Sequence, residues 1–325
     1  MDSLHDNDRY DVSGDWEGDN QAWWDWYVSL AHNPETPAQR VQIAPPDADP
    51  AGDAALAEEL SGPYPLTEDQ IAAFRRDGFV KLPGVISPEA AARLRQVMAR
   101  RLGEAFQTTL DGGADGRFLS LEMVWLEDDV LRAFTVSPRI AGICGALLGA
   151  DAVRLYHDNV LSKEPGCGRT PWHYDAHHFP LATNDVVTAW IPAQAIPRAM
   201  GPLAFAKPIE AWRHAADIPF DKTDDSYDRR VAEAFREADI AVEDGPFAEG
   251  EVSFHHNLSF HTAGANSTTL SRLVLANTYY ADGARVVDAP TLVSGDWRKF
   301  IPDTEPGEIA ASRLNPVCWS ADRER

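Results

Sequence analysis

Arg272-Leu-Val-Leu-Ala-Asn-Thr-Tyr-Tyr280 carries no charge after its leading arginine and is rich in β-branched and aromatic side chains, the mark of a strand. Residues 153–163, 186–191 and 252–256 read the same way, and 79–82 is a shorter strand. Ahead of residue 150 the signals are helical. Thr67 and Gln70 have the spacing of a capping box, and the helix they open stops near Asp77-Gly78. Ser87-Pro88 opens a second helix to about Leu102, with Gly103 placed to end it, and Ser137-Pro138 opens a third through about Leu148. Helical propensity returns only at 227–238, as an insertion between strands. Helices first, then many strands with long connections, predict an α+β protein with a mainly β core, a sandwich or a barrel. No G-x-G-x-x-G or P-loop is present, which disfavours a nucleotide-binding fold.

At 325 residues the chain can bury a large core, and one domain behind an extension is the economical organisation. The expected division is an extension and linker over 1–66 and a main domain over 67–325 carrying an insertion at 208–246. Within the extension, Trp16, Trp23, Trp24, Trp26 and Tyr27 are too many large aromatics for a solvated tail. They are read as packing on the main body, as a docked helix or a lid. Residues 35–65, rich in Pro, Ala and Asp, read as an extended linker. A formal net charge of −22 repels phosphate backbones and anionic membranes, so neither nucleic acid nor a membrane is an expected partner. Cys144, Cys167 and Cys318 contain no C-x-x-C pair, which argues against a disulfide framework or a zinc knuckle. The first 14 residues are polar and acidic, without the apolar run of a signal peptide, and a cytoplasmic protein is expected. No feature specifies an oligomeric state.

Trp172-His173-Tyr174-Asp175 sets a histidine and a carboxylate two residues apart. On extended backbone both project from one face and can reach one cation. H-x-D alone is weak in a chain with ten histidines. A third ligand from His255, His256 or His261 would complete two imidazoles and one carboxylate, which leave three positions open on non-haem iron. Those positions suit both donor atoms of an α-keto acid and one O2. The stretch His261-Thr-Ala-Gly-Ala-Asn266-Ser267, followed by Arg272, favours His261, because the arginine can grip a distal carboxylate in a two-pronged ion pair. His255 and His256 lack that spacing and are read as strand residues. His177 and His178 are read as lining a pocket or lying on the surface.

Asp77-Gly78-Phe79-Val80, Lys163-Glu-Pro-Gly166, Thr170-Pro-Trp-His173-Tyr-Asp175, Val187-Thr-Ala-Trp190-Ile191, Gly201-Pro-Leu203, His261, Asn266-Ser267, Arg272 and Tyr280-Ala-Asp-Gly283-Ala-Arg285 follow in order. In these the chain resembles the phytanoyl-CoA dioxygenase family of Fe(II)/2-oxoglutarate oxygenases, over about residues 67–290. The resemblance implies a double-stranded β-helix, or jelly roll, flanked by helices. It implies His173, Asp175 and His261 as iron ligands and Arg272 as the anchor of the far carboxylate of 2-oxoglutarate. Trp190 would pack near that cosubstrate, and Asn159 would bond its metal-bound end. Two departures stand out. Ala263 stands where many relatives have a hydroxyl residue, so a cosubstrate bond is expected from elsewhere, for instance Thr188. Ala206-Lys207-Pro208 replaces a common Pro-Gly-Ser-His segment, which bears on substrate binding.

The implied activity is hydroxylation of a C–H bond of a small molecule, in secondary or catabolic metabolism, with O2 consumed and succinate and CO2 released. Desaturation, epimerisation and ring closure use the same cofactors. Asp175 separates the chain from halogenases, which carry a small residue there. A zinc hydrolase with the same ligands leaves Trp190, Asn266 and Arg272 unexplained, and a silent jelly-roll binding protein leaves the intact triad unexplained. Residues 104–130 and 208–246, with the aromatic extension, are expected to set the substrate. An acyl-CoA thioester stays open, and Arg169, Lys207 and Arg213 are read as surface charges before anion contacts.

Overall fold

Alternation along the central strands gives this chain two apolar layers. The computed structural model describes residues 50–106, 116–219, 225–290 and 297–323. The tryptophan-rich segment lies outside them. The helices are α1 (Pro50–Ser61), α2 (Glu68–Asp77), α3 (Pro88–Ala105), α4 (Asp129–Thr135), α5 (Pro138–Leu148) and α6 (Ser226–Glu237). The strands are β1 (Phe79–Leu82), β2 (Phe118–Glu122), β3 (Ala152–Lys163), β4 (Thr170–His173), β5 (Val186–Pro192), β6 (Leu203–Lys207), β7 (Ala241–Glu243), β8 (Val252–His256), β9 (His261–Ala263), β10 (Arg272–Ala281) and β11 (Val317–Ser320). A large antiparallel sheet runs β1-β8-β5-β10-β3-β11, with β2 also paired to β3, and a small one runs β4-β9-β6-β7. Two antiparallel sheets face to face, with helices outside, make the expected jelly roll.

Because successive side chains leave a strand on opposite faces, each central strand serves two cores. Val187, Ala189 and Ile191 of β5 and Leu273, Leu275 and Tyr279 of β10 turn outward, onto buried residues of α1 to α5 such as Leu94, Phe134 and Ile140. Trp190 of β5 and Val274 and Ala276 of β10 turn inward, against Leu203, Phe205 and Ala263 of the small sheet. Phe79 of β1 stacks on Phe205 across that gap, with ring centroids 4.3 Å apart.

The cap chemistry follows the sequence. Thr67 and Gln70 exchange both bonds of the capping box, Gly78 ends α2 at φ 82°, and the Ser87 and Ser137 hydroxyls accept from the amides of Ala90 and Ile140. Two boundaries differ. Gly103 does not end α3, which runs to Ala105 with Gly103 buried inside it. The linker expected over 35–65 is helical from Pro50: α1 is rich in Ala, Leu and Glu, and these good helix formers outweigh the Pro and Asp that suggested extension. Leu56 and Leu60 then pin it to the core. The Glu59 carboxylate accepts from the Ser87 amide and hydroxyl at 2.7 Å each.

Residues 129–148 are apolar enough in composition to cross a membrane. They form two helices, α4 and α5, whose Leu131, Phe134, Ile140, Ile143 and Leu147 are buried in the helix-facing core.

If α1 belongs to the folded domain, Leu60→Ala should cost about 3 kcal/mol, the usual range for emptying a buried leucine site. Urea unfolding should show a lower midpoint at unchanged slope.

Candidate metal centre

β4 and β9 pair so that His173 lies directly opposite His261. Residues facing each other across two strands share a face, which brings the two rings to 4.2 Å between centroids. The Nδ1 of His173 lies 2.8 Å from the Pro171 carbonyl, and that of His261 2.9 Å from the Ser259 carbonyl. A carbonyl only accepts, so each Nδ1 is the donor, and each Nε2 keeps its lone pair for the space between the rings. Asp175 enters one residue past the extended Tyr174, at the first position of a 3-10 turn. Its amide and that of Ala176 donate to the Asn257 carbonyl at 2.9 and 3.0 Å, which fixes the turn to the end of β8. Asp175 Oδ1 then lies 3.8 Å from His173 Nε2 and 3.9 Å from His261 Nε2. The three ligand atoms fall within 4.8 Å of one another.

The electrostatics favour a cation here. Burial alone would raise the Asp175 carboxyl, but the imidazoles of His261, His255 and His173 hold it well below the usual carboxylate range. Burial, with His173 nearby, pushes the His261 imidazole below its ordinary value, against the opposing pull of Asp175. Two imidazoles and one carboxylate, with the distal nitrogens anchored to carbonyls, are the donor set of a divalent transition metal.

A second charged region lies farther along the inter-sheet space. β6 carries the wall from Phe205, opposite His261, to Leu203, opposite Ala263. It ends near Gly201, whose carbonyl accepts from an Arg272 terminal nitrogen. Arg272 is buried on β10, its guanidinium 5.3 Å from the Trp190 ring centroid. Its cross-strand partner is Lys163, whose ammonium donates to the Gly264 carbonyl at 2.7 Å and the Thr170 hydroxyl at 3.2 Å. Burial, with Arg272 beside it, brings the Lys163 pKa down to about 7. Gly201, at φ 72°, leaves no room for a side chain: a Cβ would sit 2.2 Å from the Gly264 carbonyl oxygen.

The other sequence candidates are placed as follows. Thr188, on the inward face of β5, shares a hydrogen bond of 3.2 Å with Thr278. Asn159, on the same face of β3, accepts from the Ser120 hydroxyl at 2.8 Å. His256 turns to the helix side, near Phe74, and its Nδ1 accepts from the Leu258 amide at 3.1 Å. His178 is half-buried in the turn after Asp175, and the His177 side chain lies outside the described residues. Arg169 pairs with Asp228, Lys207 with Glu243, and Arg213 lies over Trp212, so these three cations are engaged in the insertion and its neighbours.

The family model for phytanoyl-CoA dioxygenase matches residues 74–274, which hold the whole ligand cluster and both buried cations. The chain belongs to the phytanoyl-CoA dioxygenase family. Its members are iron(II)/2-oxoglutarate-dependent oxygenases, and this chain is an enzyme of that class, with iron as cofactor and 2-oxoglutarate as cosubstrate. A methylphosphonate hydroxylase of Gimesia maris is 24% identical over 225 residues, 66% of this chain and 81% of that one. The solved epimerase SnoN of nogalamycin biosynthesis, in complex with Fe3+, alpha-ketoglutarate and nogalamycin RO, is 25% identical. The match covers 82% of this chain and 99% of that one, with a TM-score of 0.57. The carbocyclase SnoK of the same biosynthesis is 22% identical over 79% of this chain and 99% of its own, with a TM-score of 0.61.

Two residues beside the ligands and Arg272 are not marked by the sequence pattern. Lys163 is read only within the Lys163-Glu-Pro-Gly166 motif, and at the end of a strand that also carries Arg154, Asp158 and Ser162 nothing local marks it as buried. His255 reads as a strand residue. It is one, but the polar alternation Ser253, His255 marks the inward face, and its ring reaches Asp175.

Anaerobic titration of metal-free protein should show one Fe(II) per chain. His173→Ala and His261→Ala should each weaken that affinity at least about tenfold. His256→Gln, on the other face of β8, should leave it unchanged.

Proposed function

We propose that the enzyme hydroxylates a C–H bond of a small molecule, with iron held by His173, Asp175 and His261 and the far carboxylate of 2-oxoglutarate held by Arg272. The observation that carries this reading is the pairing, between the two sheets, of a metal-ligand cluster on β4 and β9 with the buried Arg272 and Lys163 of β10 and β3. A dicarboxylate cosubstrate has the matching chemistry: one end chelates a metal and the other needs a buried positive partner. Bound there, iron and 2-oxoglutarate activate O2 for attack on a substrate C–H bond, and succinate and CO2 leave.

The chain's own residues bind, orient and exclude water. The Trp190 ring braces the Arg272 guanidinium, and the Gly201 carbonyl fixes its direction. Lys163 adds a second positive charge when protonated. Thr188 offers a hydroxyl to the cosubstrate from the inward face of β5, in place of the one missing at Ala263, and Asn159 offers an amide from β3 toward the metal-bound end. Asp175 occupies the position that a halide would need, which supports oxygen transfer over halogenation. The methylphosphonate hydroxylase relative favours hydroxylation. The epimerase and the carbocyclase among the similar structures keep epimerisation and ring closure as the second reading.

Anaerobic mixing of the metal-free protein with Fe(II) and 2-oxoglutarate should give the weak visible charge-transfer band of the chelate. His173→Ala should abolish it, and Arg272→Leu should demand at least about tenfold more cosubstrate, as expected when a buried charge loses its partner. Tight zinc binding with no band would sink the reading.

Lys163 gives this binding a pH signature. Its pKa is lowered to about 7 in the free protein, and a bound dianion favours the charged form. Cosubstrate affinity should be greatest below pH 7 and fall as pH rises through that value, with a proton taken up on binding above it. Calorimetry in buffers of different ionisation heat measures the uptake, and Lys163→Met should remove the slope.

A further inference from the structure

His255 belongs to a different tautomer class from the two ligand histidines. Its ring is buried on the inward face of β8, opposite Thr188 on β5 and Phe79 on β1. The His261 ring lies 4.7 Å away and the Phe205 ring 5.6 Å away, which leaves the imidazole little freedom. Nε2 lies 3.3 Å from Asp175 Oδ2. Nδ1 is buried and has no hydrogen-bond partner among the described residues. A carboxylate oxygen only accepts, so Nε2 carries the proton, and a second N–H at Nδ1 would be buried without an acceptor. His173 and His261 are the reverse, with Nδ1 as donor and Nε2 bare.

The two oxygens of Asp175 are thereby divided. Oδ1 faces the Nε2 atoms of His173 and His261, while Oδ2 faces the His255 N–H. We propose that His255 is a positioning residue that engages Asp175 Oδ2, so that the carboxylate offers the metal Oδ1 alone. A carboxylate binding through both oxygens would take a fourth position on an octahedral ion. One binding through Oδ1 alone leaves three, the number that a chelating keto acid and O2 require. The inference rests on the reading of the site as an iron/2-oxoglutarate centre, and it assigns to His255 the count of open positions on that metal.

The test compares wild type with His255→Phe, which keeps the ring and loses the donor, and His255→Gln, which restores an N–H near the place of Nε2. Each protein is loaded with Fe(II) without oxygen, its folding is checked by circular dichroism, and 2-oxoglutarate is titrated while the charge-transfer band is followed. In His255→Phe, metal should still bind while 2-oxoglutarate affinity falls about tenfold or more and the band weakens, as for other partners of metal ligands. His255→Gln should recover most of the loss. An unchanged chelate in His255→Phe, or a folded His255→Gln no better than it, overturns the role of His255 alone. No chelate in wild type overturns the iron/2-oxoglutarate reading together with it. A measurement on wild type does not depend on the variants folding. Nitrogen-15 spectra of the Zn(II)-loaded protein should show His255 protonated on Nε2 and His173 and His261 on Nδ1. A His255 protonated on Nδ1 alone overturns the proposal.

Discussion

The pairing of β4 with β9 is the constraint on which the rest of this enzyme depends, because it sets His173 opposite His261 and makes one site from segments nearly ninety residues apart. A slip of one residue would turn one imidazole to the other face and dissolve the cluster. The register is held from both sides. The Thr262 hydroxyl bonds the Thr170 carbonyl across the pair, and Phe205 of β6 lies opposite His261 on the other edge of β9. The Asn257 carbonyl, at the end of β8, receives the amides of Asp175 and Ala176 and ties the turn to the large sheet. The Asp175 backbone is thus placed by hydrogen bonds of its own, and its Oδ1 is left facing the two imidazoles.

The second organising fact is that the large sheet is covered on both faces, by helices on one and by the small sheet on the other. An inward polar side chain therefore has no access to bulk water from behind and must find a partner within the inter-sheet space. Asp175 finds three imidazoles at one end, and Arg272 and Lys163 find backbone carbonyls at the other. Leu203, Ala263, Val274 and Ala276 make the stretch between them apolar. The chain's net charge of −22 gives no sign of this internal arrangement, since the surface sets the sum while burial sets the strength of each local interaction. A chain with so acidic a sum still buries Arg272 and Lys163 opposite each other on paired strands inside.

Much of this was legible in particular residues. Thr67 with Gln70, Ser87-Pro88 and Ser137-Pro138 state helix starts through bonds within one turn, and they occur as written. The β-branched and aromatic runs of β3, β5, β8 and β10 announce strands because such side chains suit a pleated, buried surface. Where the reading failed, the missing information lay elsewhere in the chain. Gly103 has the look of a stop, but Leu102 and Gly103 are buried against the core and the helix continues. Residues 50–61 look like linker until the contacts of Leu56 and Leu60 are known.

The sequence by itself determined the class of fold, and it determined the H-x-D pair, since two ligands separated by one extended residue are a local fact. Motif order carried the family, and with it His261 and Arg272 as candidates. Only the tertiary structure decided which inward neighbours act on them. His255 and His256 are adjacent in sequence and chemically identical, yet the strand's alternation sends one to Asp175 and the other to Phe74 behind the sheet. Lys163 becomes a partner of Arg272 only through the register of β3 against β10. Strand register is a property of two segments at once, so one stretch of chain read alone does not contain it.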